Sequence, residues 1–226
     1  MLLFGNLNPQ MILAVLLAVL IGMTVHEFAH NFIAHQMGDP VPAREGRLTL
    51  NPMVHINPVG FLMFVLIGFG ILGSAPIAAH RMRNPRWGFL AAVAAGPLSN
   101  LLVAALFALG LRLMGLNPLE IFQAVFQGQA SGPLGLAALI FGQIVFWNVL
   151  LFVFNMLPVF PIDGWHIVLA LLPPDLAYTW QRYAQTTNYI LLGLILLSFL
   201  RIPGLNILGT LISQPTFSIT RFLLGF

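Results

Sequence analysis

Apolar residues gather into five long runs, at about 10 to 36, 60 to 79, 88 to 114, 135 to 157 and 186 to 201, with Pro, Gly, Asn and Arg concentrated between them. A helix needs about 20 apolar residues to cross a bilayer, so four of these runs predict spanning helices. The run at 60 to 79 is set apart by topology, as derived below. Residues 37 to 59, "MGDPVPAREGRLTLNPMVHINPV", are rich in Pro and polar side chains and predict a polar loop or short extended ribbon. A Gly- and Gln-containing loop with Glu120 is expected over 115 to 134, and the tail 203 to 226, where apolar runs alternate with breakers, predicts short interfacial helices. No internal repeat interrupts this order, so a single membrane-embedded unit over 1 to 226 is expected.

Composition turns the pattern into a class. Of 226 residues, 59% are hydrophobic and 7% charged, which is too apolar for a soluble domain. The expectation is an all-α polytopic membrane protein, a bundle of about four to five transmembrane helices with a re-entrant segment and a short ribbon near the active site. Its first partner is the lipid bilayer. Cys is absent, which excludes disulfides, and all nine basic residues are Arg. No basic stripe is interleaved with aromatics, so nucleic acid is not an expected partner. The start "MLLFGNLNPQ" has no basic region and no small-residue cleavage site, so no removable signal peptide is read there.

Within the first apolar run stands "MTVHEFAHNFIAH". On a helix, positions four apart share a face one turn apart, so His26 and His30 present two imidazoles to one metal ion. Glu27 lies about 100° round the helix, near enough to take a proton from a metal-activated water without being a ligand. Random placement of the six His and three Glu of this chain would give about 0.002 His-Glu-x-x-His matches. A carboxylate in a membrane helix costs roughly 2.5 to 3.5 kcal/mol on insertion scales, so such a residue marks function more often than packing.

A catalytic zinc ion takes three protein ligands and keeps one position open. Asp163, in the Pro-rich "FNMLPVFPIDGWHI" just after the fourth long run, is the best third ligand. Pro158 and Pro161 deny that stretch regular helix, and unwound backbone at membrane depth must line a wet cavity or be buried in protein. The competing use of Asp163 is as an N-cap for "GWHIVLALL". Zn2+ with two neutral imidazoles and ionised Asp163 and Glu27 sums to zero charge, the least costly state to bury in lipid. His166 is a rival for Asp163 but better suited to packing or supporting the site, and His35 lies about 140° from the face of His30. His55 and His80 read as ordinary surface residues in loops.

His26 and His30 fall toward the C-terminal end of their helix, and Asp163 falls past the C-terminal end of another. These helices must run parallel for the three to meet. Two complete spans between them would make them antiparallel, so the run at 60 to 79 is expected to dip into the membrane and return. That arrangement gathers Arg44, Arg47, Arg81, Arg83 and Arg86 on one side, which the positive-inside bias makes cytoplasmic.

Together "HEFAH", "GDPVPAREGRLTLNPMVHINPVG", "NPRWGFLAAVAAGPLSN" and "NMLPVFPIDG" resemble, in order, the site-2 protease family of intramembrane zinc metalloproteases, in its compact bacterial and archaeal branch without PDZ or CBS domains. The resemblance implies one Zn2+ held by His26, His30 and Asp163, with Glu27 as general base. It also implies that Asn155, eight residues before Asp163, works near the substrate or oxyanion, and it matches Asn100 to a motif position in the intervening helix. The implied activity is hydrolysis of peptide bonds within or near transmembrane segments of membrane-protein substrates, with the site toward the cytoplasmic side of the cell membrane. Two other classes were open from the residues alone: a membrane zinc-binding or transport protein, and a catalytically silent scaffold of the same fold.

Overall fold

Five Asn-Pro pairs punctuate the chain, at residues 8, 51, 57, 84 and 117, and in each the Pro opens a helix. Proline has no N–H to lose at a first turn and its φ is already helical, while the Asn before it accepts from a free backbone N–H. Asn8 accepts from Met11 N at 2.7 Å, Asn84 from Trp87 N at 3.2 Å, and Asn117 from Glu120 N at 2.8 Å.

The computed structural model describes residues 8–67, 70, 73, 75–128, 130–200, 202 and 206–225. In chain order the helices are α1 (Pro9–Gln36), α2 (Val41–Arg44), α3 (Pro52–His55), α4 (Pro58–Ile67), α5 (Pro85–Leu113), α6 (Pro118–Gln127), α7 (Gly132–Asn155), α8 (Asp163–Leu171), α9 (Pro174–Arg182), α10 (Ala184–Phe199) and α11 (Ile207–Leu224). Among the described residues no strand forms, and one antiparallel bridge joins Ile56 to Gly73. The protein is an all-α polytopic membrane protein. Among the described residues three helices, α1, α5 and α7, are long and apolar enough to cross a bilayer. α10, with 16 residues, reaches only about 24 Å, short of the about 30 Å hydrocarbon core.

Lipid tails are as apolar as leucine, so these helices are held together by close packing rather than by burial from water. The sequence arranges that packing in stripes of four-residue period. On α1 the buried stripe is Ala14, Ala18, Gly22, His26, His30 and Ala34; on α5 it is Gly88, Ala92, Gly96, Asn100, Ala104 and Ala108. The two stripes meet antiparallel, with His30 at Ala92, His26 at Asn100, and Ala14 packed in one cluster with Ala104 and Ala108. α7 runs parallel to α1, since Gln143 donates to Met11 Sδ at 3.3 Å near the start of α1 and Asn148 lies at Gly22 midway along it. The ends of α1 and α7 therefore emerge on one side of the bundle, as the ligand positions require.

Between α1 and α5 the chain leaves and returns at the same end: Arg83 N donates to Met37 O at 2.9 Å, and Met82 packs with Ala34 and Ala92. The 37–59 segment, expected as loop or ribbon, contains two four-residue helical turns and one bridging residue. α4, inside the run expected to be re-entrant, has ten residues and reaches about 15 Å. Residues 68, 69, 71, 72 and 74 of that run lie outside the described residues.

Besides α10, too short for the span expected over 186 to 201, two stretches differ from the sequence reading. The expected loop over 115 to 134 contains α6, because Asn117 and Glu120 form a reciprocal capping box around Pro118. The tail, expected as short interfacial helices, carries one 18-residue helix, α11, which continues through Pro215; residues 203–205 and 226 lie outside the described residues. Proline inside a helix is tolerated where neighbouring helices and hydroxyls re-satisfy the backbone, and Thr216 Oγ1 donates to Ile212 O at 2.7 Å beside it.

Candidate active site

The i, i+4 spacing delivers His26 and His30 to the face of α1 that looks at α5, where they are 3% and 4% exposed. Their Nε2 atoms stand 3.0 Å apart, and Asp163 Oδ2 lies 3.1 Å from His26 Nε2 and 3.2 Å from His30 Nε2. Gly96 makes room for them: a Cβ there would collide with His30 Nε2 and with both imidazole Cε1 atoms.

Asp163 begins α8, but its side chain caps nothing; Ile162 holds the N-cap position without a side-chain bond. Its carboxylate is turned to the imidazoles instead. Gly164 permits this tight approach, since a Cβ there would run into the carbonyl oxygens of Met156 and Leu157. At the far end of α8, Arg86 Nε donates to Ala170 O at 2.8 Å and Arg86 Nη2 donates to Leu171 O and Leu172 O, both at 2.9 Å. Arg86 thus fastens the helix that carries Asp163 to the start of α5.

The chemistry of the donor set fits a cation. His30 Nδ1 lies 2.8 Å from Ala92 O, which can only accept, so Nδ1 carries the proton and Nε2 presents a lone pair. Asp163 Oδ2 is buried, and the polar atoms facing it are the two imidazole Nε2 atoms. Lone pairs and a carboxylate converging without a proton between them repel one another unless a positive ion sits among them. Two imidazole nitrogens and one carboxylate oxygen are donors that zinc takes, so these three residues could hold that ion.

Glu27, 4% exposed, borders this cluster without joining it, and its Oε2 has no hydrogen-bond partner. Gly73 covers it so closely that a Cβ would come within 2.6 Å of Glu27 Oε1. An ionisable group kept dry and unpaired beside a metal set is suited to proton transfer.

Asn155 is the last residue of α7, and its Nδ2 donates to Leu151 O at 3.0 Å. His166 leaves the metal set to others: it packs edge-on against Phe89 and Phe160, and burial pushes its imidazole pKa down against the opposing pull of Asp163. His35 donates to Asp39 O at 3.2 Å. His80 is exposed, whereas His55, read as a surface residue, is 3% exposed with its ring at 2.6 Å from Thr49 O. The loop around His55 folds into a helical turn, which tucks the ring under its own backbone. Asn148, Gly73, Gly96 and the capping role of Arg86 went unread in the sequence, because each depends on which helix faces which.

A buried two-His, one-carboxylate set with an adjacent Glu, inside a bundle of apolar helices, defines the class of membrane-embedded metal-dependent hydrolases. The chain matches peptidase family M50 over residues 14–198, and it belongs to that family of site-2-type zinc metalloproteases. It is 32% identical over 184 residues to YwhC of Bacillus subtilis, whose name classes it with the zinc metalloproteases; the match covers 81% of this chain and 77% of that protein. It is also 30% identical over 195 residues to Rip2 of Mycolicibacterium smegmatis and 31% identical over 192 residues to Rip2 of Mycobacterium tuberculosis, both named in the same class. Each of those two matches covers 83% of this chain and 66% of the relative. No solved structure matches the chain significantly. The protein is a zinc metalloprotease.

Proposed function

We propose that this zinc metalloprotease cleaves peptide bonds within or beside transmembrane segments of other membrane proteins, as in regulated intramembrane proteolysis. One observation carries the reading: His26, Glu27 and His30 are buried inside the apolar span of α1, a helix that can cross a bilayer. A site at that depth meets substrates that are themselves in the membrane.

His26, His30 and Asp163 hold the zinc, and Glu27 is the general base. A zinc ion held there would supply Lewis acidity toward a water and the scissile carbonyl. Glu27 takes the proton from the attacking water and delivers it to the leaving amine. Its burial and its lack of a partner keep the carboxylate free for both transfers. Asn155, at the end of α7 and in the turn region that leads to Asp163, steadies the substrate backbone or the developing oxyanion when its amide leaves Leu151 O. A transmembrane helix must unwind before its amides can be attacked, since they are already hydrogen-bonded.

Arg44, Arg47, Arg81, Arg83 and Arg86 all belong to the stretch from α2 to the start of α5, at the end of the bundle nearest the metal set. By the positive-inside bias this supports a cytoplasmic orientation of the site. The test compares cleavage of a tagged transmembrane substrate by wild type and Glu27→Gln, with zinc measured in both. Zinc in both and cleavage by wild type alone is expected, with a loss of about 10²- to 10⁴-fold in the variant. Zinc in both and cleavage of soluble peptides only would overturn the membrane-substrate reading.

A further inference from the structure

Behind His26 runs a buried chain of amides that nothing in the catalytic reading requires. His26 Nδ1 lies 2.7 Å from Asn100 Oδ1; Asn100 Nδ2 donates to Gly22 O at 3.0 Å and to Asn148 Oδ1 at 2.9 Å; Asn148 Nδ2 donates to Ile144 O at 2.8 Å. Both Asn side chains are completely buried, at 0% exposure, in the apolar middle of the bundle.

The direction of every bond in this chain is fixed at its ends by backbone. The carbonyls of Gly22 and Ile144 can only accept, so the amide atoms facing them are nitrogens. Asn100 must then present its oxygen to His26, and Asn148 must present its oxygen to Asn100. His26 Nδ1 is left to donate, and its proton cannot move to Nε2 without confronting Asn100 Oδ1 with a second lone pair. Gly22 is part of the device: a Cβ there would come within 2.9 Å of Leu151 Cδ1 and 3.0 Å of Asn148 Oδ1, displacing the amide.

We infer that Asn100 and Asn148 are positioning residues that hold His26 in the Nδ1–H tautomer, with the Nε2 lone pair aimed at the metal. Asn100 acts directly and Asn148 acts through Asn100, so three helices, α1, α5 and α7, set the orientation of one ligand. Partners of this kind on a metal-binding His change metal affinity by about 10- to 100-fold when removed. His30 needs no such chain, because the backbone carbonyl of Ala92 does the same for it.

The inference rests on the zinc reading of the site, and the experiment separates the two. Purified full-length protein in detergent is loaded with Zn2+ or Co2+, and metal retention is measured against a graded series of chelators; the visible absorption of the Co2+ form reports its coordination geometry. Wild type retaining metal while His26→Ala does not establishes the site. On that footing Asn100→Ala is expected to lose about 10- to 100-fold in affinity and to change the Co2+ spectrum. Asn100→Asp keeps an acceptor for His26 Nδ1 but turns its second oxygen on Gly22 O and Asn148 Oδ1, so it is expected to restore only part of the affinity. Asn148→Leu, which removes no contact to His26, is expected to show a smaller loss in the same direction. Wild-type affinity and spectrum in folded Asn100→Ala would overturn the inference and leave the zinc site standing. If Asn100→Ala does not fold, an unchanged affinity and spectrum in folded Asn100→Leu, which keeps the volume and removes the acceptor, would overturn it equally. Metal binding that His26→Ala leaves untouched would overturn the zinc reading itself.

Discussion

The same three helices behave differently at their two ends. Toward the end of α1 they enclose His26, His30, Asn100 and Asn148, each buried and each with a fixed hydrogen-bond partner. Toward its start they enclose a cluster built on Ala104, Ala108, Leu111, Ile121, Leu139, Val145 and Val149, with α6 and α11 packed alongside. The apolar end has many near-equivalent solutions, since volume-conserving swaps in such a core cost little. The polar end has few: a half-satisfied network in lipid is worse than none. Identity is therefore specified atom by atom at one end and by volume at the other.

Substitutions can test that division, beginning with the largest effect. His30→Ala removes one ligand outright, and both zinc and cleavage are expected to fall below detection, read by metal analysis and a substrate assay. Retained zinc would mean that the metal sits elsewhere. Asn155→Ala leaves zinc in place and is expected to lower kcat by about 10²-fold through loss of one oxyanion donor, whereas a change confined to KM would make it a substrate-binding residue. Gly96→Ala pushes a Cβ into both imidazoles and is expected to weaken zinc retention by about 10-fold, comparable with loss of a supporting bond. At the apolar end, Leu139→Ala opens a cavity costing about 2 kcal/mol, toward the low end for such truncations because lipid lends no hydrophobic drive. It is expected to lower thermal stability in detergent and to leave zinc affinity unchanged. Equal effects on zinc from Leu139→Ala and Gly96→Ala would erase the distinction between the two ends.

What could be read in the sequence follows the same line. His26, Glu27 and His30 were legible because their relation is internal to one helix, where spacing alone fixes geometry. Asp163 was legible as a candidate because an acid in a Pro-broken turn beside an apolar run has few uses. Asn148 was not, since its role depends on Gly22 of another helix offering no side chain. α6 was legible in principle: Asn117, Pro118 and Glu120 spell a helix start, but the Gly and Gln residues around it favoured a loop reading. Arg86 was weighed only as a topological charge, and its three bonds to the end of α8 depend on a contact between segments more than 80 residues apart.

Those three bonds give α5 an unexpected office. It grips His30 at Ala92, His26 at Asn100 and, through Arg86, the helix that bears Asp163. All three side chains that could hold the metal are thus hung from a single rod. Among the described residues Gly73, bridged to Ile56, lies against Glu27.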